Sequence, residues 1–135
     1  MTALAVTEAA LQEEGMRLGR TLPRGSVIWL VGPLGAGKTT LVRAIARGRG
    51  VVGRATSPTY ALVHHYEAPT GSVYHVDCYR LHRPEEALDL DWATLITADQ
   101  LQIEWPERAG TWAPAPTHTI TLTHADTDQR LMEMR

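Results

Sequence analysis

Apolar residues recur along this chain with a helical period in some stretches and as short runs in others. The helical period holds over residues 8–21 and from Lys38 to Arg47, and it predicts two amphipathic helices. Thr7 can cap the first helix, since its hydroxyl can accept a backbone N–H of the opening turn. Residues 27–31 form a continuous apolar run that is too short for a helix and too apolar for an exposed strand. We therefore expect a buried central strand between two helices.

Strands are expected to dominate the second half of the chain. Residues 59–66 and 72–77 are rich in Thr, Tyr, Val and His, and a turn with Pro and Gly between them predicts an antiparallel hairpin. A short helix should begin near Pro84. The remaining elements expected are strands at 101–105 and 117–123 and an edge strand at 130–135. Together they predict an α/β fold with a mixed parallel and antiparallel central sheet flanked by helices, in a single domain of residues 1–135.

A glycine-rich loop, Gly-Pro-Leu-Gly-Ala-Gly-Lys-Thr over residues 32–39, joins the central strand to the second helix. In such a loop the glycines turn successive backbone N–H groups inward on a phosphate. Lys38, the chain's only lysine, would reach the outer phosphates, and the hydroxyl of Thr39 would bind magnesium. The residues expected to bind the nucleotide are Leu34, Gly35, Ala36, Gly37, Lys38, Thr39 and Thr40. The order of strand, loop and helix predicts a P-loop NTPase-like fold that binds a nucleoside triphosphate with magnesium.

Hydrolysis of a triphosphate also needs an acid near the metal, commonly at the carboxyl end of a strand beside the phosphate loop. Two apolar stretches end in such an acid, residues 73–77 at Asp77 and residues 101–104 at Glu104. Acids at strand ends are common, so either one alone could be an ordinary solvated side chain. The phosphate loop is what favours a functional role for both. Trp105, beside Glu104, either packs in the core or covers the nucleotide site.

Three further groups of residues carry weaker signals. Ser57 and Thr59 lie between the phosphate-loop helix and the hairpin, where a switch segment would sense the terminal phosphate, although a simple turn fits the spacing equally well. A cluster of possible zinc ligands matches no common zinc site in its spacing, and two of its members, His75 and Cys78, point to opposite faces of one strand. The other members are His64, His65 and His82. Arg80, Arg83 and Arg130 could contact phosphate or a partner, although a solvated surface position is the commoner place for such residues.

Charge and composition limit the partners of this chain. The formal net charge is -2, so the broad basic surface that binds nucleic acid is missing, and direct binding of DNA or tRNA is not expected. No apolar stretch is long enough for a signal peptide or a membrane span. We therefore expect a cytoplasmic protein that uses no membrane and reaches nucleic acid only through other proteins.

Five segments follow one another along the chain in a distinctive order. They are Gly32-Pro33-Leu34-Gly35-Ala36-Gly37-Lys38-Thr39-Thr40, Ser57-Pro58-Thr59-Tyr60, His75-Val76-Asp77-Cys78-Tyr79-Arg80-Leu81, Pro84-Glu85-Glu86 and Ile103-Glu104-Trp105-Pro106. This order resembles the TsaE family, also called YjeE, and the combination is more specific than the phosphate loop alone. Pro33 stands where the family usually has aspartate, and Cys78 where it usually has leucine. Neither departure removes a phosphate or metal ligand.

The resemblance implies a magnesium-dependent ATPase, weak without partners, that is required to form threonylcarbamoyladenosine at adenosine 37 of tRNAs reading ANN codons. In the family the transfer belongs to TsaD paired with TsaB, so these proteins would be the partners, and tRNA would be reached only through their complex. By position, Thr39 and Glu104 would hold magnesium, and Asp77 would assist catalysis. Thr59 would lie in the switch segment and Trp105 beside the nucleotide.

Two other classes of protein stay open from the residues alone. A small-molecule kinase shares the phosphate loop, but it needs an acceptor site and usually an arginine-bearing lid, for which this short chain leaves little room. A non-hydrolysing nucleotide switch would use ATP only to order a docking surface.

Overall fold

The computed structural model describes residues 3–52 and 63–135. Its helices are α1 (Glu8–Thr21), α2 (Lys38–Gly48) and α3 (Trp92–Leu95), with 3₁₀ segments at Pro84–Asp89 and Pro106–Trp112. Its strands are β1 (Leu4–Val6), β2 (Ser26–Val31), β3 (Val63–Ala68), β4 (Gly71–Asp77), β5 (Gln100–Glu104), β6 (His118–Asp126) and β7 (Gln129–Met134). None of the helices in these two ranges is long and apolar enough to cross a membrane.

The strands form one seven-stranded sheet in the order β1-β7-β6-β2-β5-β4-β3. The four central strands β6, β2, β5 and β4 run parallel to one another. Around them, β3 pairs antiparallel with β4, and β7 pairs antiparallel with both β6 and β1. The parallel centre brings the carboxyl ends of β2, β4 and β5 to the same end of the sheet, where ligands of open α/β sheets bind.

The two faces of the sheet carry separate apolar clusters, and β2 contributes to both. Successive side chains of a strand point to opposite faces. Ile28 and Leu30 therefore pack in the cluster formed with α1 and α2. Val27 and Trp29 contact the cluster that includes residues of α3 and the 3₁₀ segments. This burial on both faces explains why β2 reads as a continuous apolar run.

Glycines set the close contact between α1 and α2. A Cβ on Gly19 would lie 2.1 Å from the carbonyl oxygen of Ile45, and a Cβ on Gly48 would lie 2.1 Å from that of Met16. A larger side chain at either position would have to push backbone aside. The helix that begins at the glycine-rich loop is thereby fixed against α1.

The α/β fold predicted from the sequence is confirmed, and the outer strands show what the prediction missed. The predicted C-terminal strand exists as β7, but it is not at an edge, because Leu4 and Val6 of β1 pair with its Met132 and Arg130. With only three residues, β1 is too short to show an alternating pattern. The predicted hairpin is formed by β3 and β4, and the part of it expected at residues 59–62 lies outside the described residues.

Candidate nucleotide-binding site

The glycine-rich loop occupies the carboxyl end of β2. Gly32 must be glycine there, because a Cβ would lie 2.0 Å from the carbonyl oxygen of Leu122 on β6. Gly37 precedes α2 with a left-handed φ of 100°, a conformation that favours glycine. The first N–H groups of α2 have no partner within the helix, and the helix dipole is positive at this end. The loop and helix together suit an anion such as a phosphate.

Lys38 folds back into this loop. Its ammonium donates hydrogen bonds to the carbonyl oxygens of Gly32 and Pro33, the latter at 2.9 Å. Only 5% of the residue is exposed. Burial lowers the pKa of the Lys38 ammonium, although the nearby Glu104 carboxylate acts in the opposite direction. The predicted phosphate-binding cation is therefore at the centre of the loop.

Two carboxylates reach the same end of the sheet. Asp77 and Glu104 are paired in register on the parallel strands β4 and β5. The hydroxyl of Thr39 donates to Glu104, with Oγ1 3.3 Å from Oε1 and 3.5 Å from Oε2. Glu104 is 3% exposed, whereas Asp77 is half-buried and its Oδ1 accepts the N–H of Tyr79. The structure thus brings Thr39 and Glu104 into contact and places Asp77 alongside them.

Trp105 lies against the loop lysine, with part of its surface on the core. Its indole centroid is 4.2 Å from the Lys38 ammonium and 5.0 Å from the guanidinium of Arg108. The backbone of Trp105 is left-handed, with a φ of 56°, which is uncommon for a bulky residue. This turn directly follows β5. The ring is half-buried against the cluster under α3, as the core placement predicts, and it also faces Lys38. That it covers the nucleotide stays a prediction.

A cavity of about 290 Å³ opens beside the loop. It is lined by Glu8, Leu11, Gly35, Gly37, Lys38, Thr39, Thr40 and Arg130. Of the two places considered for Arg130, the solvated surface is wrong, because the residue is half-buried and its Nε is buried without a hydrogen-bond acceptor among the described residues. A buried N–H of this kind is a donor that an oxygen atom of a ligand can satisfy. A contact between Arg130 and phosphate stays a prediction.

The sequence gives no sign that α1 lines this cavity, and it leaves a phosphate contact of Arg130 on β7 as one of two possibilities. One signal was available on β7, where Arg130, Met132 and Met134 alternate along one face. Met132 is 4% exposed and packs in the cluster formed with α1 and α2. The alternation therefore placed Arg130 on the covered face of its strand.

Other predicted site residues differ in what the structure shows of them. The side chain of Leu34 is exposed on the loop, whereas Ala36 is fully buried. Ser57 and Thr59 lie outside the described residues, so their proposed role as a switch stays a prediction. Cys78 is buried, and burial raises the pKa of its thiol to about 12.

The parallel strands, the glycine-rich loop opening a helix, and the acids at the ends of neighbouring strands define this chain as a P-loop protein of the α/β class. The sequence profile of one family, described as "Threonylcarbamoyl adenosine biosynthesis protein TsaE", matches residues 5–132. The chain belongs to the TsaE family, as its motif order predicts.

Individual relatives agree with this assignment. The tRNA threonylcarbamoyladenosine biosynthesis protein TsaE of Nostoc sp. is 39% identical over 125 residues, which covers 89% of this chain and 76% of that protein. The protein of the same name from Treponema pallidum is 38% identical over 109 residues, 80% of each chain. The fold is similar to the crystal structure of Bacillus subtilis YdiB, with a TM-score of 0.76 and 23% identity over 98% of this chain and 84% of that one.

Proposed function

We propose that this chain binds ATP with magnesium and hydrolyses it, and that the reaction supports the synthesis of threonylcarbamoyladenosine in tRNA. The observation that carries the first part is the meeting of the Thr39 hydroxyl and the Glu104 carboxylate, 3.3 Å apart, next to Lys38 in the glycine-rich loop. Membership of the TsaE family, together with the names of the relatives from Nostoc and Treponema, supports the second part.

The loop would hold the phosphates through its backbone and its lysine. The ammonium of Lys38 would exchange the carbonyl oxygens of Gly32 and Pro33 for the outer phosphates, because a charged oxygen is a stronger acceptor than a neutral carbonyl. The positive end of α2 favours the same anion. On the cavity side, the guanidinium of Arg130, which is among the lining groups, would donate to the bound nucleotide.

The side-chain oxygens at the start of α2 and at the end of β5 would suit magnesium. This ion prefers oxygen ligands and keeps several waters, and Thr39 and Glu104 offer a hydroxyl and a carboxylate at the edge of the loop. Bound there, it would neutralise charge on the outer phosphates. Asp77, half-buried next to Glu104, would orient the attacking water as a general base.

The role in tRNA modification would be indirect. A formal net charge of -2 does not favour tight, direct binding of tRNA by this chain. We infer that it joins the TsaD and TsaB pair, which would select tRNAs reading ANN codons and modify adenosine 37, while this chain uses ATP to support their turnover.

The test compares the wild-type chain with Lys38→Ala and Lys38→Arg. Calorimetric titration should show ATP binding by the wild type and a large loss in Lys38→Ala, while circular dichroism shows both folded. Lys38→Arg should rescue poorly, because a planar guanidinium does not replace a compact ammonium inside the loop. Unchanged ATP affinity in a folded Lys38→Ala variant would overturn the site. If ATP is hydrolysed but modified nucleosides formed with TsaD and TsaB do not depend on this chain, only the tRNA role fails.

A further inference from the structure

A buried imidazole contacts the carboxylate of the proposed magnesium site. Nε2 of His75 on β4 lies 2.6 Å from Oε2 of Glu104, and the two side chains are only 8% and 4% exposed. His75 pairs in register with Gln102, which shares one face of β5 with Glu104, so the imidazole reaches Glu104 across neighbouring strands. An ionised carboxylate only accepts hydrogen bonds, so in the ionised form of Glu104 the donor of this contact is Nε2 of His75.

The two oxygens of Glu104 have different neighbours. Oε2 accepts from His75 at 2.6 Å, whereas the hydroxyl of Thr39 lies nearer to Oε1, at 3.3 Å, than to Oε2, at 3.5 Å. The terminal torsion of a glutamate has a broad energy minimum and does not by itself fix the plane of the carboxylate. A donor on Oε2 restricts that plane and leaves Oε1 directed toward Thr39 and the phosphate loop.

His75 is itself held in place by a neighbouring ring. His64 on β3 is directly opposite in the antiparallel register, and the two imidazoles stack with centroids 5.5 Å apart and planes 19° apart. A ring that is stacked on one side and buried from solvent has little freedom to swing away from Glu104. The contact between His75 and Glu104 is therefore a fixed feature of the sheet.

We propose that His75 is a positioning residue that orients the Glu104 carboxylate so that one oxygen is presented to magnesium in the ATP complex. This inference rests on the proposed function above. Hydrogen-bond partners of metal ligands typically change metal affinity by about 10- to 100-fold when removed. The effect of His75 should therefore appear in the metal dependence of nucleotide binding.

The test is a magnesium titration of the binding of a fluorescent, slowly hydrolysed ATP analogue, with manganese EPR as a direct measure of metal binding. His75→Phe keeps a ring against His64 but removes the N–H donor to Glu104. It should raise the metal midpoint, the magnesium concentration at half-maximal binding of the analogue, about tenfold or more. His75→Gln places an amide N–H near the position of Nε2 and should recover most of the affinity. The matched control His64→Phe preserves the stack without contacting Glu104 and should leave the midpoint near the wild-type value. Binding in EDTA should be the same for all four proteins.

Different negative results would contradict the positioning role of His75 and the proposed magnesium site. Wild-type binding that ignores magnesium overturns the proposed magnesium site and the role of His75 with it. A normal metal response in the wild type, together with an unchanged midpoint in His75→Phe, overturns the positioning role alone. The same follows if His75→Gln loses as much affinity as His75→Phe. If thermal melting shows that His75→Phe is unfolded, His75→Met takes its place in the comparison with the same outcomes.

Discussion

Asp77 and Glu104 end neighbouring strands in register, yet their surroundings differ. Glu104 is 3% exposed and contacts both the hydroxyl of Thr39 and the imidazole of His75. Asp77 is half-buried and accepts a backbone N–H. A carboxylate fixed from two sides is suited to hold a metal ion. A more open one is suited to orient a water molecule that arrives from solvent.

We expect the two carboxylates to give different phenotypes. Glu104→Gln should raise the magnesium midpoint of ATP binding about tenfold or more, because it removes a ligand charge without changing the size of the side chain. Asp77→Asn should lower single-turnover phosphate release about 100-fold while the midpoint stays close to that of the wild type. Glu85→Gln, an exposed acid in the 3₁₀ segment at Pro84–Asp89, serves as the control. A shifted midpoint in Asp77→Asn alone would show that the two roles are exchanged.

The site residues that could be predicted are those with a local signal. Lys38 and Thr39 follow from the spacing within the loop, and Glu104 follows from an apolar strand that ends in an acid. Arg130 and His75 could not be assigned in this way. Their places depend on which strands are neighbours and in what register, and no short stretch of sequence encodes that.

At the scale of elements, the buried ion pair of Arg49 and Asp99 connects four segments of the chain. The carboxylate of Asp99, before β5, is fully shielded and accepts from Arg49 at 2.8 and 3.0 Å. It also accepts from the Thr70 hydroxyl of the hairpin turn at 2.7 Å. Arg49, at the end of α2, donates further to the carbonyl oxygens of Gly19 and Leu22 at 3.2 and 2.7 Å. The pair thus joins α1, α2, the β3–β4 turn and the start of β5.

Removing the charge of Asp99 should destabilise the chain. Asp99→Asn leaves the Arg49 guanidinium, whose side chain is 9% exposed, without its anionic partner, and we expect a loss of about 3 kcal/mol or more in the free energy of unfolding. Urea unfolding at neutral pH measures this loss. Asp89→Asn, an exposed aspartate, should change stability little. An Asp99→Asn variant as stable as the wild type would show that the attraction between Asp99 and Arg49 only offsets the free-energy cost of removing the two charges from water.

The same pair predicts how stability depends on pH. Hydrogen bonds from Arg49 and Thr70 hold the pKa of Asp99 below its usual range, although burial acts in the opposite direction. The unfolded chain therefore binds the proton first as the pH falls. The stabilisation is fully present above the unfolded pKa of about 3.9 and is lost as the pH falls through the folded pKa. The stability difference between wild type and Asp99→Asn should thus be constant from pH 7 to about pH 5 and shrink in stronger acid.

The contact between α1 and α2 gives a further prediction at this scale. In Gly19→Ala the new Cβ would meet the carbonyl oxygen of Ile45 at 2.1 Å and the backbone nitrogen of Arg49 at 2.7 Å. Backbone atoms cannot move aside as a flexible side chain does, so we expect a loss of about 1–3 kcal/mol despite the higher helix propensity of alanine. ATP affinity should fall as well, because α2 begins at the phosphate loop. Glu13→Ala, at an exposed position of α1, is the control for both measurements.

At the scale of the whole molecule, the centre of the fold was more predictable than its borders. A strand buried on both faces and helices with one apolar face have patterns that can be read over a few residues, as for β2 and α2. The pairing of β1 with β7 joins the two ends of the chain. Such a contact depends on how the complete sheet packs, and no local pattern in β7 indicates that β1 covers it. The sequence therefore predicts an edge position for β7.

The charge and the architecture of the molecule together point to partners as the source of specificity. The described site consists of a phosphate loop, two strand-end acids and a cavity of about 290 Å³, and nothing in this set of groups reads a nucleic acid sequence. The net charge of -2 gives no general attraction to tRNA. Under the function proposed above, selection of a tRNA would lie with TsaD and TsaB.

If this chain acts with that pair, ATP hydrolysis should be slow in isolation and faster when TsaD and TsaB are added, because docking would complete or order the segment that contains Thr59. Binding linkage is reciprocal, so ATP and ADP should also differ in their effect on the affinity of this chain for the pair. Steady-state phosphate release with and without the pair, and complex formation with ATP, ADP or no nucleotide, measure the two halves of the coupling. Lys38→Ala serves as the control for nucleotide dependence. It should abolish the difference between ATP and ADP in docking, and because Lys38 is buried it should leave the surface that contacts the partners unchanged. Indifference to the pair in both assays would exclude the role in tRNA modification and leave the P-loop site intact.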